Sequence, residues 1–228
     1  MFDVTRICMI YDMEKEEKMY ALKGFDLQLP DRGLIGIIGP SGSGKSTLMY
    51  CLSTLKQPTE GSILYNGREL TDCTNAEREK LRRQEFGFIF QKHYLVPYMG
   101  AVENVMVAAN GKDKAARQKA EEILTKLGIT EREFSKKPAK LSGGQCQRVA
   151  IARAVINDPK VIFADEPTAS LDHENAFNVM RILKEYSMDR LVLVVTHDKS
   201  ILKESDRIIE MWDGEISDSV SEIPKGER

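Results

Sequence analysis

The loop at residues 39–47 constrains the fold of this chain more than any other stretch. It has the pattern G-x-x-x-x-G-K-S and lies between an apolar run at 34–38, typical of a buried strand, and a helix predicted to open at 47–52. In such a unit, glycines let successive backbone N–H groups face one anion, and the helix N-terminus adds unpaired donors. We therefore expect a nucleoside triphosphate to bind here, with Lys45 at the β- and γ-phosphates and Ser46 on Mg²⁺. The predicted phosphate-binding residues are Gly39, Pro40, Ser41, Gly42, Ser43, Gly44, Lys45, Ser46 and Thr47.

The composition is that of a folded protein and narrows the function classes. Of the 228 residues, 42% are hydrophobic and 30% are charged, as in an ordinary globular domain. The formal net charge of −2 gives no reason to expect a nucleic-acid-binding surface. No uncharged apolar run reaches the roughly eighteen residues of a membrane span, and residues 1–6 lack the layout of a signal peptide. The four cysteines are scattered, which argues against a zinc site or disulfide framework and fits a reducing cytoplasm.

The order of predicted elements indicates an α/β fold. The first two strands flank a charged segment at 12–18, which we expect to be a solvated hairpin loop. The run at 191–195 is the most β-like of the chain and is predicted to lie at the centre of the sheet. Asp213 and Gly214 predict the turn of a closing hairpin. The predicted strands are residues 2–10, 21–29, 34–38, 86–90, 161–164, 191–195 and the hairpin at 207–216.

Residues 92–156 differ from the strand-rich segments on either side. The stretch 114–127 has an apolar helical face, and Gly128 is expected to end that helix. A second helix is predicted at 146–156. We interpret residues 92–156 as a mostly helical lobe inserted into the sheet domain.

Polar residues follow three of the predicted strands, at the edge where an open α/β sheet keeps its ligand. Asp165 and Glu166 end one strand; in a P-loop fold the aspartate holds Mg²⁺ and the glutamate can take a proton from attacking water. Gln91, after another strand, can reach the metal or the water, and His197 can bind a γ-phosphate. Each also has an ordinary interpretation, namely an acidic turn, a surface glutamine or a structural histidine.

Two further features allow two interpretations each. Ser142, Gly143 and Gly144 precede a predicted helix, where they form either a second anion site or an ordinary cap and turn. Tyr11 at the end of the first strand can stack on an adenine or can be a half-buried packing residue, and Tyr20 is a weaker candidate for stacking.

Taken together, these motifs resemble ATP-binding-cassette ATPases, in the same order and over essentially the whole chain. The resemblance rests on Tyr11, the P-loop, Gln91, the sequence Leu-Ser-Gly-Gly-Gln at 141–145, Asp165-Glu166, residues 170–172 and His197. It implies a P-loop NTPase fold with a RecA-like mixed sheet, an N-terminal antiparallel β subdomain and an inserted α-helical subdomain. Residues 1–91 and 157–228 would form the nucleotide-binding core and residues 92–156 the helical subdomain.

The resemblance also implies ATP and Mg²⁺ as ligands and assigns roles around one bound ATP. Tyr11 would stack on the adenine. Glu166 would be the general base, and His197 the switch that orients γ-phosphate and water. The implied catalytic set is Glu166, His197, Gln91 and Lys45, and the implied metal set is Ser46, Gln91 and Asp165.

Other residues are implied to act across a pair of identical chains. Ser142, Gly143, Gly144 and Gln145 form the family's signature, which would grip the γ-phosphate of ATP held by a second copy. Asp172 would lie at the interface between the two sites. The two copies would close head to tail, with ATP between them.

Within the family, residues 20–24 and 165–172 resemble ATPases that serve lipoprotein-release, macrolide-export, cell-division and peptide-antibiotic-resistance permeases. This implies a separate integral membrane permease as partner, no nucleic acid, and a location on the cytoplasmic face of the cell membrane. Residues 92–100 depart from the usual partner-docking sequence. The rivals are a soluble cassette protein acting on ribosomes or DNA, although the chain has no basic arm, and a P-loop kinase, which has no use for residues 141–145.

Cys146 stands where the family commonly has glutamine. At a helix N-terminus beside a phosphate site, we expect the pKa of its thiol to be lowered. Alkylation of Cys146 is then expected to block closure of the two copies.

Overall fold

An antiparallel sheet opens the chain in the computed structural model, which describes residues 1–11, 18–169, 171–217 and, for the backbone only, 221–222. The segment 12–17, most of the predicted hairpin loop, and Ser170 lie outside the described residues. Over the described residues the strand order is β2-β1-β4-β5, and each pair is antiparallel. The strands are β1 (Phe2–Tyr11), β2 (Met19–Leu29), β4 (Glu60–Tyr65) and β5 (Arg68–Glu69).

A larger, mostly parallel sheet forms the centre of the molecule. In the described chain its order is β10-β9-β3-β8-β7-β6, and β11 pairs with β9. The predicted central position of β8 is confirmed, since β8 pairs in parallel with both β3 and β7. The predicted hairpin of β9 and β10 also forms, and β9 adds a parallel pairing with β3. The strands are β3 (Gly33–Ile38), β6 (Phe86–Ile89), β7 (Val161–Asp165), β8 (Leu191–Thr196), β9 (Arg207–Trp212), β10 (Glu215–Ile216) and β11 (Ser221–Glu222).

The central sheet is covered on both faces, which explains why its strands are apolar without alternation. Successive residues of β8 point to opposite faces: Leu193 and Val195 belong to one core cluster, and Val192 and Val194 to the other. An aromatic cluster joins this sheet to the antiparallel one, with ring centroids of Phe2 and Phe163 6.3 Å apart.

The helices begin where the sequence provides a cap. Thr74 and Asp113 accept N-cap hydrogen bonds for α2 and α4, and Gly128, with φ 77°, follows the end of α4 as predicted. Between β6 and β7, helices α3, α4 and α5 pack on one another. None of the helices in the described part of the chain has the length and apolar composition of a membrane span. The helices are α1 (Lys45–Leu52), α2 (Asn75–Glu85), α3 (Ala101–Met106), α4 (Lys114–Lys126), α5 (Gly143–Val155) and α6 (His173–Tyr186).

The topology brings the predicted site residues to one edge of the central sheet. Four parallel strands end there, and each is followed by a polar segment. β3 leads into the loop at 39–44, β6 ends shortly before Gln91, β7 ends at Asp165, and β8 ends just before His197. This is the edge at which an open parallel sheet holds its ligand.

Candidate active site

The phosphate loop requires glycine for reasons visible in the packing. Gly44 is the N-cap of α1 with φ 96°, and a Cβ there would lie 2.3 Å from the carbonyl oxygen of Ala21. A Cβ on Gly39 would lie 2.1 Å from the carbonyl oxygen of Met211. No side chain caps α1, so its first backbone N–H groups keep the unpaired donors typical of a helix start. The loop therefore presents backbone donors and a positive helix end to an anion.

Lys45 lies across this loop. Its Nζ donates to the carbonyl oxygens of Gly39 and Pro40, each at 2.8 Å. Burial lowers the pKa of the Lys45 ammonium, while the carboxylates of Glu166 and Asp165 act in the opposite direction. Both acceptors are neutral carbonyl oxygens, so a charged phosphate oxygen can replace them as the partner of the amine.

Ser46 and Asp165 form the candidate metal site. The Ser46 hydroxyl donates to Oδ1 of Asp165 at 3.1 Å, and the Tyr50 hydroxyl donates to Oδ2 at 2.9 Å. Among the described residues no group of three or more His, Cys, Asp or Glu side chains forms a metal cage. Mg²⁺ does not need one, because it usually takes one or two protein carboxylates and completes its shell with phosphate oxygens and water. The two oxygen donors therefore fit a Mg²⁺ ion that binds together with a nucleotide.

Glu166 is the most constrained acid of the site. It adopts a left-handed backbone with φ 47°, unusual for a residue with a side chain, and its N–H donates to the carbonyl of Val195 at 2.8 Å. Its carboxylate accepts from the Thr196 hydroxyl at 3.1 Å, from the His197 N–H at 3.1 Å, and contacts His197 Nδ1 at 2.7 Å. When the Glu166 carboxylate is ionised it can only accept, so this last contact then requires the imidazole proton on Nδ1. Strained backbone of this kind is concentrated at functional sites.

Most of the predicted site residues line one open cleft of about 570 Å³. Tyr11, at its side, is half-buried; Lys56 Nζ donates to its hydroxyl at 2.7 Å and lies 4.4 Å from the ring centroid. Tyr20 instead lines a separate hollow beside Cys8 and Lys23. The predicted site residues that line the cleft are Tyr11, Ser41, Gly42, Gly44, Lys45, Ser46, Thr47, Gln91, Glu166 and His197.

The signature residues lie outside this cleft. Ser142 and Gly143 are exposed at the start of α5, and Ser142 accepts from the N–H of Gln145 at 3.2 Å while Gln145 Oε1 accepts from Ser142 N–H at 2.9 Å. This reciprocal capping box begins the helix at Gly143, three residues before the predicted start. The predicted role of Ser142 as an N-cap is confirmed.

The structure brings the signature and Asp172 together through a residue that the sequence did not single out. A Cβ on Gly144 would lie 2.9 Å from Oδ1 of Asn175, whose Nδ2 donates to Oδ2 of Asp172 at 2.7 Å. Asp172 also caps α6, and its pKa is lowered chiefly by the hydrogen bond from the Asn175 N–H. Gly144 of the signature and Asp172, which the sequence predicts for different parts of the site, thus share Asn175 as a neighbour.

The expectation for Cys146 is wrong. Its side chain is buried, and burial raises the pKa of its thiol instead of lowering it. Its Sγ faces the carbonyl of Pro138 at 3.6 Å, on the inner side of α5. The position near the helix start was read correctly, but the sequence did not reveal which face of α5 carries the cysteine.

Three residues of the site were missed: Tyr50, Thr196 and Asn175. Tyr50 follows Ser46 by one helical turn, so the spacing already placed both on one face of α1. Thr196 is the last residue of β8, next to the predicted His197. Asn175 is the third residue after the cap Asp172, a position that commonly bonds back to the cap.

Comparison with known proteins gives the family. The family model for the ABC transporter matches residues 22–169. The lipoprotein-releasing system ATP-binding protein LolD of Aquifex aeolicus is 42% identical over 89% of this chain and 92% of its own length. The macrolide export ATP-binding/permease protein MacB of Mannheimia succiniciproducens is 43% identical over 94% of this chain, which spans only 34% of that relative.

Solved structures agree with these relatives. The ATP-binding cassette MJ0796, determined as a dimer in a post-hydrolysis state bound to ADP and Pi, has a TM-score of 0.88 and 37% identity, covering 97% of this chain and 98% of its own. A second dimeric structure of MJ0796, described as a bacterial ABC transporter cassette, gives 0.87 and 38%. The P-loop fold with its mixed α/β architecture is thereby confirmed. The chain belongs to the ABC transporter family, as an ATP-binding and ATP-hydrolysing cassette.

Proposed function

We propose that this chain is the ATP-hydrolysing subunit of a transporter, acting as a head-to-tail pair of copies that drives a separate membrane permease. One observation carries the proposal. The P-loop, Glu166 and His197 line one cleft, while Ser142 and Gly143 lie exposed elsewhere on the same chain. A signature that grips phosphate then has to meet the cleft of a second copy.

Within the cleft, the chain's own residues divide the work of phosphoryl transfer. Lys45 and the N–H groups of α1 neutralise phosphate charge. Thr196 and His197 hold the Glu166 carboxylate by hydrogen bonds, so that it can accept a proton from the attacking water. Bound Mg²⁺, on Ser46 and Asp165, would supply further charge neutralisation. Gln91, which also lines the cleft, would contact the metal or the attacking water. Tyr11 offers its ring to the adenine.

The pairing of two copies has support from the relatives. MJ0796 is described as dimeric in both structures, once with ADP and Pi. In a two-fold pair each copy presents the same patch, so one closure completes two sites. Asp172 and Gly144 share Asn175 as a neighbour in this chain, which supports one contiguous surface for the proposed interface residue and signature.

The permease is proposed to dock on a hollow of about 640 Å³ between β6, α2 and the end of α3. Phe88 and Phe90 line it together with Tyr94 and Val107, whose side chains are 66% and 50% exposed. Large exposed apolar groups of this kind mark interaction surfaces. The hollow is also lined by Arg82, Arg83 and Arg153, so its mixed apolar and charged surface fits an amphipathic helix of a membrane protein.

Hydrogen bonds connect this docking hollow to α5, the helix that begins in the signature. Arg153, near the end of α5, donates to the carbonyl oxygens of His93 and Tyr94 at 2.6 and 2.7 Å. Gln91, which lines the cleft, lies just before His93 and Tyr94. The segment 91–94 therefore connects the cleft with the hollow and with α5. We propose that residues 92–156 move as one lobe on ATP binding and carry the docked permease with them.

The names of the relatives, macrolide export ATP-binding/permease protein and lipoprotein-releasing system ATP-binding protein, support an export or release system of the cell membrane. The proposed location is therefore the cytoplasmic face of that membrane.

Co-purification tests the permease. The tagged parent, Val107→Asp in the hollow and Met188→Asp are each isolated from detergent-solubilised membranes; Met188 is 64% exposed and outside the hollow. We expect one integral membrane protein with the parent and with M188D, and its loss with V107D. Ribosomes or nucleic acid in place of a membrane protein would instead support the soluble rival and contradict this proposal.

A further inference from the structure

Tyr50 contacts the candidate metal site without belonging to any motif. It lies on α1, four residues after Ser46, and both hydroxyls point to the carboxylate that ends β7. Tyr50 donates to Oδ2 of Asp165 at 2.9 Å, and Ser46 donates to Oδ1 at 3.1 Å. Residues four apart share a helix face, so one helix fixes both oxygens of one carboxylate.

The carboxylate needs both donors because it is largely removed from water. Asp165 is only 8% exposed, and a buried carboxylate is costly unless its oxygens are hydrogen-bonded. A turn of the carboxylate about its bond to Cβ would break both contacts. With both in place, the plane of the carboxylate is set, and Oδ1 stays beside the Ser46 hydroxyl.

The hydroxyls of Ser46 and Tyr50 differ in whether they can also bind a cation. Ser46 lines the open cleft, and a hydroxyl that donates its proton keeps its lone pairs for a cation. The Tyr50 side chain is half-buried and, like Asp165, is not among the residues that line the cleft; it bonds Oδ2, whereas Ser46 bonds Oδ1. The Tyr50 hydroxyl is therefore placed to hold Asp165, while the Ser46 hydroxyl remains accessible to a cation in the cleft.

We propose that Tyr50 is a positioning residue for the magnesium site: its hydroxyl holds Asp165 in the orientation that binds the metal beside Ser46. The inference rests on the proposed assignment of Ser46 and Asp165 to Mg²⁺. Outer groups that orient a metal ligand are typically worth about 10- to 100-fold in metal affinity.

The chain contains a matched control. Tyr65 also donates its hydroxyl to a carboxylate at 2.9 Å, here Oε2 of Glu85, but it lies in the core between the two sheets. Tyr65→Phe removes the same kind of bond far from the cleft. It separates a loss of metal affinity from a general loss of stability.

The experiment measures Mn²⁺ binding by electron paramagnetic resonance, with ADP present, for the parent, Y50F, Y65F and D165N, each checked by its thermal melt. We expect Y50F to bind Mn²⁺ roughly 10-fold more weakly, Y65F to bind as the parent does, and D165N to lose binding. If Y50F binds Mn²⁺ with the parental affinity while D165N loses binding, the role of Tyr50 is contradicted and the metal site itself is supported. Parental affinity in D165N overturns the metal site itself.

A rescue variant decides whether the hydrogen bond is responsible. Replacing Tyr50 by 4-aminophenylalanine keeps an N–H donor at the same ring position. Recovery of Mn²⁺ affinity toward the parental value supports the proposal, and affinity as weak as that of Y50F contradicts it. The Mg²⁺ dependence of ATP turnover gives a second readout: excess Mg²⁺ should restore kcat in Y50F, whereas a merely misfolded variant stays slow.

Discussion

Two helix N-termini in this molecule follow a serine- and glycine-rich segment, and they differ in how their donors are used. α1 starts after Gly44, whose φ is 96°, and has no side-chain cap, so its first N–H groups remain available at the cleft. α5 starts after Ser142, whose hydroxyl and backbone are paired with Gln145, and Gln145 is held by Glu133 at 2.9 Å. The first terminus is open to an anion within one chain, whereas the second is already partly satisfied.

The difference indicates which half of the site can work alone. The open terminus, with Lys45 beside it, can bind phosphate in a single copy. The capped terminus keeps the proton of the exposed Ser142 hydroxyl and the first N–H groups of α5 for a ligand, and among the described residues none of 141–145 lines the cleft. We therefore expect changes at the first end to affect binding and changes at the second to affect turnover and pairing.

The largest effect is expected for Glu166→Gln. The variant keeps the shape of the side chain but removes its basicity, so ATP turnover should fall by roughly 100-fold or more while ATP binding is retained. Phosphate release under saturating ATP measures the first effect. Light scattering with ATP should show a stable pair of copies. Turnover at the parental rate would rule out Glu166 as the base.

The second prediction compares two helix caps. Ser142 and Thr74 each form a capping box, but only Ser142 belongs to the signature. Ser142→Ala and Thr74→Ala should each lower the free energy of unfolding by about 1 kcal/mol, measured by urea titration. Only S142A should slow ATP turnover, by roughly 10-fold or more, because it also removes a hydrogen bond to a charged phosphate.

In the same experiment, ATP affinity of the single copy should be unchanged in both variants. If S142A and T74A slow turnover equally, the capped end has no role beyond helix stability.

A smaller effect is expected at the adenine position. Tyr11→Ala removes a ring from the cleft, and stacking of a base on an aromatic ring is worth about 1 kcal/mol or more, so ATP affinity should fall roughly fivefold. Tyr20→Ala, which changes a ring outside the cleft, serves as the control. Fluorescent-ATP titration measures both. Equal affinities in Y11A and the parent would assign Tyr11 to packing alone.

The smallest effect concerns Cys146. Because burial raises the pKa of its thiol, less thiolate is present at pH 8 than in an exposed cysteine, and iodoacetamide should modify it more slowly than the half-buried Cys73. Mass spectrometry of timed digests measures the two rates. Faster labelling of Cys146 would mean that this end of α5 opens, which would contradict the packing described here.

The sequence predicts features that depend on local pattern and misses those that depend on packing between distant segments. The P-loop, β8 and the caps at Ser142 and Gly128 follow from neighbouring residues, and each was predicted. The pairing of β9 with β3 joins segments about 170 residues apart and has no local signal.

The same limit applies to the site. The edge that holds Gln91, Asp165 and His197 was predicted because parallel strands end together. The inward orientation of Cys146 and the contact of Tyr50 with Asp165 depend on which helix face meets the sheet, and α1 is buried on several sides. A short buried helix has no single apolar face from which that orientation can be read.

Mixing two inactive variants tests most directly whether the site is shared. Lys45→Ala disables the cleft, and Gly143→Asp places a carboxylate at the exposed start of α5, where it suits the helix dipole but repels phosphate. In a mixed pair, one site carries both defects and the other carries none. If the copies pair at random, we predict that the mixture recovers about a quarter of the parental ATP turnover, although each variant alone is inactive. Turnover that stays at the level of the separate variants would show that each chain builds its site alone.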